Sequence, residues 1–93
     1  MKKKTFRELH RRQVDFDLEE FLLGGQFKFD SFSFLDMEDL KQEYFHYRYQ
    51  NGLDKIRWTY DVYAPIFSVY GIVVTLKKGQ IRDAMLWGIC FKQ

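Results

Sequence analysis

Between Asp36 and Gly52 the chain carries a full set of helix instructions. Asp36 stands where a capping carboxylate belongs, and Glu38 and Asp39 put negative charge in the first turn, where the helix dipole favours it. Met37, Leu40, Tyr44 and Tyr47 recur at three- and four-residue spacing, which gathers them on one buried face. Asn51-Gly52 closes the signal, with Gly52 free to take the left-handed conformation after the last turn. A helix over 36–50 is therefore the fixed point around which the rest must be arranged.

Downstream of it the period changes from 3.6 to 2. From Lys55 to Tyr63, Ile56, Trp58, Tyr60 and Val62 alternate with Lys55, Arg57, Thr59 and Asp61, a strand pattern over 55–63. Ala64-Pro65 interrupts pairing, because proline has no ladder donor. Residues 67–76 are apolar on both faces, Lys77-Lys78-Gly79-Gln80 reads as a turn, and 80–92 alternates again. Helix 36–50 is expected to lie on one side of this meander, against Trp58, Tyr60, Trp87 and Ile89. The other side, around Val69, Val73, Leu86 and Cys90, then needs a cover, since large bare apolar patches are uncommon on monomers.

Upstream, Thr5-Phe6-Arg7-Glu8 fits a capping box for a short helix near 5–13. Asp17-Leu18-Glu19-Glu20 repeats the box, with Asp17 as the cap of a second helix and Gly24-Gly25 as its stop. Phe27 and Phe29 alternate in one phase and Phe32 and Phe34 in the other. The slip at Asp30-Ser31 makes 26–34 either a bulged strand or two short extended pieces. The expected fold is α+β: a short N-terminal helix or helices and one main helix packed on an antiparallel meander of three to four strands. With 93 residues it forms one domain, 1–93, with a basic arm at 1–13.

Charge is unevenly placed along this frame. Residues 1–13 hold six Lys/Arg and one acid, a charge of +5; residues 14–43 hold two Lys and nine acids, −7; residues 44–93 hold seven Lys/Arg and three Asp, +4. Ten Phe, six Tyr and two Trp exceed what a core of this size requires, so some rings are expected at the surface, where aromatic anchors favour recognition. Cys90 is the sole cysteine, which rules out an internal disulfide, and no apolar run follows the initial lysines as a secretion signal would require. No apolar run approaches the ~20 residues of a membrane span. The expected location is the cytoplasm, away from membranes.

The chemistry of sites is sparse. His10, His46 and Cys90 have no metal-ligand spacing, no glycine-rich loop opens a helix, and Cys90 sits in an apolar strand, as a small buried hydrophobe does. No catalytic residues, metal or cofactor are expected. Asp15, Phe16, Asp17, Glu19 and Glu20, followed by Phe27, Phe29 and Asp30, interleave carboxylates with rings. Such a surface suits the basic groove of a larger protein or ribonucleoprotein complex, with phenylalanines as anchors and acids steering approach. The alternative partner is nucleic acid, contacted by Lys2, Lys3, Lys4, Arg7, Arg11 and Arg12 together with Arg48 and Arg57. A homodimer formed through the second sheet face is the third reading. No family is recognisable at the level of residues. The profile of small size, no catalytic set and segregated charge resembles that of inhibitors carried by mobile genetic elements, anti-restriction and anti-CRISPR proteins among them. The expected function is thus a non-enzymatic protein-binding regulator or inhibitor.

Overall fold

Residues 6–77 and 80–92 are described by the computed structural model, with side chains described for 13–76 and 84–92. Three helices and two small antiparallel sheets make an α+β domain: α1 (Phe6–Leu22), β1 (Phe27–Lys28), β2 (Phe34–Asp36), α2 (Met37–Gln50), α3 (Tyr60–Val69), β3 (Val73–Lys77), β4 (Gln80–Trp87) and β5 (Cys90–Phe91). Strand order is β2-β4-β3 in one sheet and β1-β5 in the other.

Helix α2 forms as its sequence dictates. The Asp36 side chain accepts from the Glu38 N–H at 2.9 Å, and Met37, Leu40 and Tyr44 turn inward. Its end is a Schellman closure: Gly52 N–H donates to the Tyr49 carbonyl and Leu53 N–H to the Arg48 carbonyl, with Gly52 at φ 65°.

The N-terminal segment differs from expectation. One continuous helix runs from Phe6 to Leu22, so Asp17 lies inside a helix and caps nothing. Its carboxylate points inward, where it accepts from Gln13 Nε2 at 3.0 Å and pairs with Arg48 Nη1 at 3.4 Å. An acid ahead of an apolar run looks the same whether it caps a helix or reaches an interior cation. Here the cation, 31 residues away, decides. The glycine stop is as read: Gly24 N–H donates to the Phe21 carbonyl and Gly25 takes φ 93°.

The expected strand over 55–63 is absent. Residues 53–59 have no regular structure, and Tyr60–Val69 is a helix with Pro65 inside it. Pro65 offers no N–H for the intrahelical ladder, at local cost. Tyr63, Ile66 and Phe67 supply the compensating gain, because their 3–4 spacing buries three large side chains at once. Trp58 draws the preceding loop inward rather than into a sheet. Its ring lies 5.8 Å from Tyr44 and 5.3 Å from Tyr63, and its Nε1 donates to the Met37 sulfur at 3.2 Å. The strand expected over 67–76 shortens to Val73–Lys77, after α3 ends in its own Schellman turn at Gly71, φ 69°.

The segment 26–34 resolves into two extended pieces, β1 and β2, separated by a turn in which Ser33 N–H donates to the Asp30 carbonyl and Phe32 N–H to the Asp30 side chain. β2 therefore supplies the third strand that 55–63 does not. Register sets Leu35, Leu86 and Val74 side by side on the inner face, with Ala84 next along. Phe34, Trp87 and Val73 form the neighbouring row on the outer face, largely exposed. Leu86 thus belongs to the core and not to the second face where the alternation set it. Trp87 and Tyr60, expected beneath α2, are exposed, whereas Ile89 is buried as expected. At Gly88 the last strand breaks: a Cβ there would meet the Gly71 carbonyl oxygen at 3.0 Å, and φ is 97°. Its N–H and carbonyl bond Ser33 and Asp30 instead, which ties the β1–β2 turn to the sheet.

The core joins α1, α2, α3 and the inner sheet face through Leu18, Phe21, Leu40, Tyr44, Phe67, Leu86 and others. Asp17 and Arg48 are the buried charges within the described interior, 5% and 4% exposed. Removing one partner strands the other. Asp17→Ala and Arg48→Met are each expected to cost about 3 kcal/mol, while Asp17→Leu with Arg48→Met costs far less than the sum. Urea unfolding of the three variants checks this, and additive losses would remove the pair as a unit.

Candidate protein-binding surface

Because Asp17 is held inward, the pitch of α1 carries Phe16, Glu20 and Leu23 outward in a line at i, i+4 and i+7. Phe16 and Leu23 are each 55% exposed. Two large apolar groups thus face solvent on either side of a carboxylate. Glu19 flanks this line on the side of α3, and Asp15 is half-buried one turn earlier. Residues 13–27 contain four acids and no Lys or Arg, and only Asp17 among them is drawn into the interior.

The surface continues past α1. Burial, and after it the nearby Glu19 carboxylate, raises the pKa of Tyr70 above the ordinary 10.0. The Tyr70 ring in turn lies 5.8 Å from that of Phe29, which is partly exposed. Phe29 precedes Asp30, whose carboxylate meets Lys28 Nζ at 3.6 Å. Tyr70 therefore has both Glu19 and Phe29 as neighbours. On the α2 side, burial and then Glu20 raise the pKa of Tyr47.

The structure sorts the expected site residues. Phe16, Glu19, Glu20, Phe29 and Asp30 lie at or near the surface; Asp17 and Phe27 do not. Phe27 is 5.2 Å from both Phe21 and Phe91 and belongs to the core. Leu23 and Tyr70 join the surface, and only the helical pitch of α1 could have suggested Leu23. For the nucleic-acid reading, Arg57 is exposed but Arg48 is almost wholly buried. Arg48 donates through Nη1 to Tyr44 Oη at 3.0 Å and through Nε to the Asp54 carbonyl at 2.8 Å, besides its pairing with Asp17. Lys2, Lys3 and Lys4, and the side chains of Arg7, Arg11 and Arg12, lie outside the described part.

A second apolar surface occupies the outer sheet face. Phe34 packs 5.6 Å from Trp87, whose Nε1 donates to Thr75 Oγ1 at 2.8 Å, with Val73 in the same row and Phe32 at the tip of the adjoining turn. Among the described residues no group of three or more His, Cys, Asp or Glu is placed to hold a metal, and no helix is long and apolar enough to cross a membrane. Cys90 is half-buried at the end of the sheet. Comparison with protein-family models, with curated proteins and with solved structures finds no match.

The tyrosines predict an alkaline limit. Tyr44, Tyr47, Tyr63 and Tyr70 all have pKa values raised above 10.0, with desolvation the leading cause in each. A hydroxyl that ionises later in the folded chain than in the unfolded one contributes stability in full below about pH 10, and loses it as pH rises beyond. The thermal midpoint is expected to fall above about pH 10, with phenolate absorbance rising in step with unfolding. Phenolate formation with no loss of midpoint would mean these hydroxyls are freely hydrated.

Proposed function

We infer that this protein is a non-enzymatic binding regulator or inhibitor that lays its acidic-aromatic surface against a basic groove of a larger protein or ribonucleoprotein complex. The observation that carries the reading is the outward line Phe16-Glu20-Leu23 along α1 and the turn that ends it, flanked by Glu19 and extended through Tyr70 to Phe29. The apolar members supply desolvated anchor area, and the carboxylates supply attraction to a cationic rim and orient the approach. An amphipathic helix presenting anchors one and two turns apart is a familiar way to fill a groove. The inhibitors of host machinery carried by mobile genetic elements are the type of protein this profile suits.

The charge pattern favours a protein over nucleic acid. A polyanion approaching this side would meet Glu19, Glu20 and Asp30, while Arg48, 4% exposed, is too deeply set to track a phosphate backbone. The test is capture of partners from extract of the native host, with nuclease added. A stoichiometric protein complex is expected to survive nuclease and to weaken at least tenfold when Glu19 and Glu20 are both changed to Lys, with the thermal midpoint unchanged. Capture that ignores the charge reversal, or that vanishes with nuclease, removes this surface from the function.

A second reading rests on the outer sheet face, where Phe34, Trp87 and Val73 form an uncharged row suited to a copy of itself. In that case sedimentation gives a dimer at micromolar concentration, and Phe34→Ser with Val73→Ser returns a monomer. A monomer of the unaltered chain at that concentration sinks it.

A further inference from the structure

A cleft of about 500 Å³ opens between the last turns of α2 and the loop that follows its Schellman closure. Phe45, Leu53 and Ile56, all half-buried, and the exposed Tyr49 give it apolar walls. This volume lies within the roughly 300–1,000 Å³ of small-molecule sites, which combine apolar walls with a few fixed polar groups.

Two cations reach the same cleft, and their states differ. Arg48 is 4% exposed, and its Nε and Nη1 are engaged by Asp54, Asp17 and Tyr44. Its remaining nitrogen, Nη2, donates to no acceptor among the described residues. Among the described residues no buried polar side-chain atom is sealed off without a partner, so Nη2 keeps some access, and Arg48 lines this cleft. The guanidinium is held rigidly by its other bonds, so a further hydrogen bond through Nη2 orders little that is not already ordered. Lys55, exposed on the same wall, pairs with no acid among the described residues. The opposing charge is the exposed Asp54 side chain, which solvent screens. The negative end of the α2 dipole is blunted, because Asn51, Gly52 and Leu53 already occupy the last carbonyls.

From these groups we propose that the cleft is a binding site for a small apolar carboxylate, with the hydrocarbon body against Phe45, Leu53 and Ile56 and the carboxylate shared by Arg48 Nη2 and Lys55. A neutral apolar compound would gain the walls but leave the charge-assisted bonds unmade. The site stands apart from the docking surface on α1, and its test is independent of that reading.

The test is an amide-resolved NMR titration of the whole protein with 3-phenylpropanoate and, as its uncharged counterpart, 3-phenylpropanamide. The acid is expected to saturate with its largest shifts within residues 45–56, and the amide to bind at least about tenfold more weakly. Lys55→Gln, a surface change, should weaken the acid several-fold and leave the amide unaffected. Ile56→Trp, which fills the cleft, should remove both. No saturation by the acid, equal binding of the amide, or shifts centred on Phe34, Trp87 and Val73 overturns the proposal.

Discussion

A guanidinium taken into the interior at Arg48 governs the helical half of this protein. A charge in that position is tolerable only when it is paired and hydrogen-bonded, and three separate segments engage its Nε and Nη1: Asp17 from α1, Tyr44 from α2 itself and the Asp54 carbonyl from the loop beyond. The Arg48 Cζ also sits 5.6 Å from the Tyr44 ring centroid, so the ring face contributes alongside the hydroxyl. The pairing fixes the rotation of α1 about its own axis. Turning α1 by one residue would withdraw Asp17 from the guanidinium and carry Phe16 inward. The outward line of Phe16, Glu20 and Leu23 is in this sense a consequence of a bond roughly a quarter turn away around the helix.

Trp58 does for the aromatic part of the core what Arg48 does for the polar part. It contacts rings from α2 and α3 and ends its indole N–H on the Met37 sulfur, which joins the start of α2 to a loop with no ladder bonds of its own. That loop then forms one wall of the cleft beside Arg48, so the two interior anchors position the same exposed feature from different directions.

What could be read from the residues follows the distance over which their causes act. Helix α2 was legible at both ends because the Asp36 cap and the Gly52 closure lie within the segment they define. The division of 26–34 was legible because the phase slip at Asp30-Ser31 is local. Helix α3 was not, since Ile56, Trp58, Tyr60 and Val62 satisfy a period of two while Tyr63, Ile66, Phe67 and Tyr70 satisfy 3.6 a few residues on, and Pro65 argues against either. Gly71, read as a C-terminal helix stop, was the signal that could have tipped it. The inward fate of Asp17 and the buried fate of Phe27 depend on Arg48 and Phe91, distant in the chain and invisible to spacing. The surface lost those two residues, yet Phe16, Glu19 and Glu20 kept their place because an amphipathic helix exposes whatever its buried stripe leaves over.

Both sheets wait on one late stretch of chain. β4 bonds β2 on one side and β3 on the other, and after the break at Gly88 the next residues bond β1. Until that stretch docks, β1, β2 and β3 lack a partner, even with α1, α2 and α3 associated around Arg48 and Trp58. A folding intermediate of that kind leaves three open strands, with Phe27 and Leu35 short of their partners Phe91 and Leu86. It is in this state that the chain is most open to capture by a chaperone, or by the strands of a neighbouring copy.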